Sequence, residues 1–176
     1  MSSSESSWLD IIGLGMKFVI STVASKFPAV QNVDTKQLAE WLNSSDRDVA
    51  LLDCRDPREY EVSYMPGSVR VEWKREDVDQ LVESLPVMNR EGPAKKTIVC
   101  YCSLGYRSSA LANKIQNHLK KSDNPKKVEV YNLAGSIFKW ANEGRPLLNS
   151  EGQKTKLCHP YTPMWSRLLN KELHQW

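Results

Sequence analysis

A chain of 176 residues, 40% of them hydrophobic, suits one globular domain with extra segments. Its 24 basic and 21 acidic residues leave a net charge of +3, too mild to argue for nucleic acid. The lysines come as scattered pairs (Lys95-Lys96, Lys120-Lys121, Lys126-Lys127), the pattern of a solvated face rather than a binding stripe.

The Ser-rich first seven residues are expected to be disordered. From Trp8 to Phe27 the chain is apolar, with a thin polar strip of Asp10, Lys17, Ser21 and Ser25. As a helix this segment would be about 30 Å long, near a bilayer's width. Its embedded charges argue against spanning. A basic signal-peptide start is missing, as is the arginine content of a transit peptide. The expectation is a helix packed on the domain or on a second chain, with a membrane-surface contact as the less favoured alternative. Asp34-x-x-Gln37 resembles a capping box opening a helix over Thr35 to Leu42, with Leu38, Trp41 and Leu42 on one face.

Val49 to Asp53, Thr97 to Tyr101 and Lys127 to Tyr131 are short apolar or β-branched runs bounded by turn residues, which predicts buried parallel strands. Helical patterns over Lys74 to Leu85 and Ser108 to Leu119 lie between them. The second carries a stripe of Ala110, Leu111, Ile115 and Leu119. Alternating strand and helix predicts an α/β domain whose parallel sheet is covered on both faces. Ligands bind such sheets beyond the carboxyl ends of strands, where Cys54 and Cys102 both fall. After the irregular Cys158-His-Pro-Tyr-Thr-Pro163, residues Trp165, Leu168, Leu169, Leu173 and Trp176 recur at helical spacing. That predicts a short amphipathic helix packed back onto the domain. The sequence shows no internal repeat.

The run Thr97-Ile-Val-Cys-Tyr-Cys102-Ser-Leu-Gly-Tyr-Arg107-Ser-Ser-Ala-Leu carries the chemistry. A strand ends at Cys102, a short Gly-containing loop follows, and a helix pattern begins. Unpaired amides and the helix dipole make that junction a cradle for anions. The same field lowers a cysteine pKa, giving a nucleophile for an anionic or sulfur-containing substrate. The alternative is a buried structural cysteine beside a solvated arginine. His118 sits 11 residues beyond Arg107 in the helix pattern, roughly 16 Å away, so Cys–His protease-like catalysis is not expected. Cys54, Cys100, Cys102 and Cys158 have no metal-ligand spacing. No metal or cofactor is therefore expected, and a reducing, cytoplasmic address is.

Three segments together resemble the rhodanese-homology domain over about Val33 to Pro146. The first is Val49-Ala-Leu-Leu-Asp53-Cys-Arg55-Asp56-Pro-Arg-Glu59-Tyr60, continuing into Tyr64-Met-Pro66-Gly67-Ser68. The second is the cysteine loop. The third is Tyr131-Asn-Leu-Ala-Gly135-Ser-Ile-Phe138-Lys-Trp140, closing at Gly144-Arg-Pro146. One departure is Tyr64, where the family often carries His. The resemblance implies a three-layer fold, a central parallel sheet flanked by helices. It divides the chain into an N-terminal helical extension (1–30), the rhodanese-like domain (31–148) and a C-terminal extension (149–176). Sulfurtransferases of the family use a six-residue loop starting at the cysteine, whereas related phosphatases need Arg six positions after it. Position 108 is Ser and Arg stands at 107, which favours sulfur transfer.

The implied roles follow. Cys102 attacks a sulfane sulfur donor and carries a persulfide. Ser103, Leu104, Gly105, Tyr106, Arg107 and Ser108 form the substrate-binding loop, their N–H groups holding the developing charge. Arg107 binds the anionic end of the donor or, alternatively, pairs with a carboxylate. It is the loop's single cation, and a dianion such as thiosulfate would gain from a second one, so a persulfide donor stands beside thiosulfate. The acceptor would be a thiol or cyanide. Arg55 and Asp56 read as structural ion-pair members with Glu59 or another nearby carboxylate, Cys54 as an inert packed thiol, and Phe138 and Trp140 as core. A competing reading is a binding or regulatory module that presents its terminal helices to a protein partner.

Overall fold

The computed structural model describes residues 3–121 and 128–176. The Lys126-Lys127 pair and the first two residues lie outside them. Strands β1 (Gln31–Val33), β2 (Arg47–Asp53), β3 (Ser68–Arg70), β4 (Lys95–Tyr101) and β5 (Val128–Leu133) form one sheet in the order β1-β5-β4-β2-β3. All its pairings are parallel. Helices α1 (Ser3–Lys26), α2 (Thr35–Leu42), α3 (Pro57–Val62), α4 (Val78–Ser84), α5 (Pro86–Asn89), α6 (Tyr106–Lys121) and α7 (Ser136–Asn142) surround it. A two-stranded antiparallel ribbon, β6 (Leu147–Leu148) and β7 (Lys154–Thr155), follows.

Side-chain alternation along the strands splits the core into two layers. Leu51, Val99 and Tyr101 join Leu38, Ile137, Phe138 and Trp140 on one face. Leu52, Ile98 and Cys100 join Leu81, Leu111 and Ile115 on the other. The three layers expected from the sequence are present, with β4 in the middle of the sheet and its carboxyl end at Cys102.

Boundaries differ where local chemistry intervenes. The helix expected from Lys74 starts only at Val78, because Lys74 and Arg75 are held in turns by Glu72 and Asp77. Helix α6 begins earlier than expected, at Tyr106, since the Ser109 N–H already donates to the Gly105 carbonyl at 3.0 Å. Strands β1 and β3 are three residues each, too short to show a period.

The C-terminal amphipathic helix is not formed. Two 3₁₀ turns, Trp165–Leu168 and Lys171–Leu173, stand in its place. Asn142 of α7 intervenes between them: its amide donates to the Leu168 carbonyl and accepts from the Asn170 N–H, both at 2.8 Å. The chain is thereby held extended at Leu169. Leu169 and Leu173 are buried all the same, while Trp176 is 63% exposed.

Helix α1 packs on the domain through Met16 and Val23, with Val19 and Ile20 against the core. Its residue Gly15 lies beneath Leu168, so the two extensions touch. Ile11, Leu14 and Phe18 face outward. Among the described residues no helix is long and apolar enough to cross a membrane.

Candidate active site

Helix α7 anchors the cysteine loop at its start. The Cys102 N–H donates to Ser136 Oγ at 3.1 Å. The N–H groups of Ile137 and Phe138 donate to the carbonyls of Cys102 and Ser103 at 3.1 and 3.2 Å. The loop then turns through Gly105, whose φ of 115° suits glycine alone. A Cβ there would meet Asn132 and Val23 of α1 only at ordinary contact distance, so the backbone conformation is what requires glycine.

This turn aims donors at the sulfur. The Gly105 N–H donates to Cys102 Sγ at 3.1 Å, and Ser108 Oγ lies 3.4 Å from it. The Ser108 hydroxyl also donates to Asn132 Oδ1 at 2.6 Å, while the Asn132 amide donates to Asn32. Cys102 is 2% exposed, and burial pushes its thiol pKa up. The Arg107 charge, the Ser108 hydroxyl and N–H, and the Gly105 N–H outweigh that burial, bringing the thiol below its ordinary value. The thiolate is thereby favoured relative to an ordinary cysteine, with the positive end of α6 adding in the same sense.

The other loop residues divide. Leu104 is buried in the core layer that contains Met16 of α1. Tyr106 is 44% exposed, edge-on to Phe27 and Trp73 with Lys26 over its ring. Their side chains are engaged outside the cradle, leaving the backbone as their contribution. Ser103 Oγ donates to Glu59 Oε1 at 2.6 Å.

Arg107 is paired with a carboxylate. Its guanidinium holds Glu59 with two bonds, Nη1 to Oε2 at 2.7 Å and Nη2 to Oε1 at 2.9 Å. Asp56 lies 3.7 Å away, and the Tyr161 ring covers the guanidinium at 4.4 Å. Glu59 also accepts the Asp56 N–H at 3.0 Å, so one carboxylate both closes the start of α3 and fixes the loop arginine. Burial raises the Glu59 carboxyl, but Arg107 and Ser103 pull it further down, to a net value below the ordinary carboxylate.

Sequence reasoning missed four residues here: Ser136, Asn132, Glu59 in this role, and Tyr161. Only Glu59 carried a signal, as a carboxylate near Arg55 and Asp56, and it read as a structural ion-pair partner there. Arg55 pairs with another nearby carboxylate, Asp53, both fully buried. Among the described residues no cluster of three His, Cys, Asp or Glu could hold a metal ion.

Residues 34–143 match the rhodanese-like domain profile. A protein named sulfurtransferase from Allochromatium vinosum is 28% identical over 70% of this chain and 99% of its own length. A probable adenylyltransferase/sulfurtransferase, MoeZ of Mycobacterium tuberculosis, is 30% identical over 73% of this chain. The chain spans only 29% of that relative's length. The fold is shared with a Saccharomyces cerevisiae homolog of single-domain rhodanese and the Cdc25 phosphatase catalytic domain. That structure has a TM-score of 0.52 at 16% identity, over 65% of this chain and 81% of the other. With its parallel sheet, its cysteine loop and a profile match over most of its length, this chain belongs to the rhodanese-like domain family.

Proposed function

We propose that the chain is a sulfurtransferase that moves a sulfane sulfur from thiosulfate or a persulfide to a thiol or cyanide acceptor through a persulfide on Cys102. The observation that carries this reading is the Gly105 N–H bond to Sγ at 3.1 Å. It belongs to a cradle that stabilises a thiolate before attack and a terminal persulfide after it. With thiosulfate, Sγ forms a bond to the outer sulfur, that sulfur's bond to the sulfonate breaks, and sulfite leaves with the electron pair. An acceptor thiolate or cyanide then takes the outer sulfur and regenerates the Cys102 thiolate. The six-residue loop favours this chemistry over phosphate-ester hydrolysis. The reaction calls for no metal or cofactor, and a free thiol as nucleophile fits a reducing, cytoplasmic address.

Sulfur loading tests the reading. Incubation with thiosulfate or cysteine persulfide should add one sulfur by intact mass, removable by cyanide and absent from Cys102→Ser. No adduct from either donor would sink it.

One observation favours a partner-binding role in addition: Ile11, Leu14 and Phe18 expose 55, 67 and 72% of their surface along one side of α1. Size-exclusion of the full chain beside Phe18→Ser tests this role. Association lost in the variant supports it, and identical monomeric profiles remove it.

A further inference from the structure

The loop's single cation is not free for a donor. Glu59, itself fully buried, occupies the donor edge of the Arg107 guanidinium with a bidentate pair. Asp56 adds a second carboxylate 3.7 Å away. Nη2 also donates to Ser103 Oγ at 2.9 Å. Tyr161 covers the guanidinium at 4.4 Å, leaving Arg107 only 7% exposed.

Tyr161 comes from the C-terminal extension, beyond residues 34–143 of the family match. Its backbone sits at φ 66°, a left-handed conformation unfavourable for an aromatic residue. Its N–H donates to Nδ1 of the buried His159 at 3.0 Å, fixing that turn. Strain held by a dedicated hydrogen bond places the ring over the arginine.

We propose that Tyr161 is a specificity-determining residue: with Glu59 and Asp56 it closes Arg107 to dianionic donors, so that the site takes an organic persulfide in preference to thiosulfate. This rests on the sulfurtransferase reading of Cys102. A dianion would bring its charge against two carboxylates, with the donor edge of the loop's one cation already taken by Glu59. A persulfide R–S–SH needs only its outer sulfur in the cradle of N–H groups. There the Cys102 thiolate forms a bond to the outer sulfur, the donor S–S bond breaks, and the leaving RS⁻ takes the persulfide proton. The products are Cys102–S–S⁻ and RSH, with no external oxidant or reductant.

The test is the rate of single-turnover sulfur loading on the full chain, followed by intact mass with thiosulfate and with cysteine persulfide. Tyr161→Ala should raise the thiosulfate rate relative to the persulfide rate at least fivefold. Tyr161→Phe, which keeps the ring, should restore the wild-type ratio. Asp56→Asn keeps a competent helix-capping residue while removing the nearer exposed charge, and should shift the ratio two- to threefold in the same direction. That variant decides the matter even where Tyr161→Ala fails to fold. An unchanged ratio in Tyr161→Ala and Asp56→Asn overturns the proposal while leaving the sulfurtransferase reading intact. Failure of either donor to load wild-type Cys102 overturns both.

Discussion

Two cysteines sit at equivalent places in the sheet and behave oppositely. Cys54 follows β2 and Cys102 follows the adjacent β4. Both thiols belong to the same core layer, at 0 and 2% exposure. Burial raises the pKa of each, and for Cys54 the neighbouring groups agree: Cys100, Cys102 and Asp53 all push it well above the ordinary value. Its S–H points to the Leu52 carbonyl at 3.8 Å, a contact that favours the protonated form. The Cys102 sulfur accepts from the Gly105 N–H instead, and Arg107 and Ser108 add to that pull. Burial alone does not make a nucleophile. What decides is whether the sulfur faces carbonyls or N–H groups.

The arginines repeat the contrast. Arg55 lies wholly inside the β2 end, held by Asp53 with Nε–Oδ1 at 2.9 Å and Nη2–Oδ2 at 2.6 Å. It also donates to the Ser63 carbonyl at 2.6 Å. That loop is closed with side chains. The β4 loop is also held by side chains, yet it turns the Gly105 N–H onto the Cys102 sulfur at 3.1 Å.

The largest effect that could break the comparison is the loss of one thiol or the other. Cys102→Ser should cut sulfur loading by at least about a thousandfold, while Cys54→Ser stays within twofold of wild type. Comparable losses in both variants, measured by intact mass, would mean that the two strand ends share the chemistry.

Removing the carboxylate that fixes Arg107 comes next. Glu59→Gln leaves a buried guanidinium without its counter-charge, at a cost of about 3–5 kcal/mol, read from urea unfolding at pH 7. The sign with pH follows from the lowered Glu59 carboxyl. Its stabilisation is complete above the unfolded carboxylate value, about 4.3. It is lost as pH falls through the lower folded value. The gap between wild type and variant should therefore close in acid, and a gap that persists there would assign the loss to packing.

How far the sequence carried follows the same division. Strands β2, β4 and β5 and helix α6 were legible because their apolar periods are strong and their burial is two-sided. Cys102 and its loop were legible because strand, glycine and helix fall in immediate succession. Glu59 as the partner of Arg107 was not, since 48 residues separate them and the nearby Arg55 offered itself as the partner instead. Tyr161 was harder still. Its position depends on a left-handed turn that no period announces, in a segment whose helical stripe is overridden by Asn142.

A smaller effect concerns ionisation itself. The rate of Cys102 alkylation by iodoacetamide should rise at a lower pH than that of a free cysteine, about 8.5, because its thiol lies below its ordinary value. Peptide mapping should find Cys54 unmodified over the same range. A Cys102 profile at or above that of free cysteine would erase the difference between the strand ends.

The smallest effect tests which proton makes that difference. The Ser108 hydroxyl has one hydrogen and two acceptors, Asn132 Oδ1 at 2.6 Å and Cys102 Sγ at 3.4 Å. The shorter contact holds it on Asn132 while the sulfur is a thiol, and a thiolate or persulfide draws it across. Ser108→Ala removes that donor and should slow loading about fivefold, the equivalent of about 1 kcal/mol, while moving the alkylation profile to higher pH. Asn132→Ala removes the competing acceptor instead, freeing the hydroxyl for the sulfur, and should move the profile to lower pH. Opposite shifts identify a proton shared between the amide and the sulfur; shifts of the same sign would mean that Asn132 acts by holding the Gly105 turn it packs against.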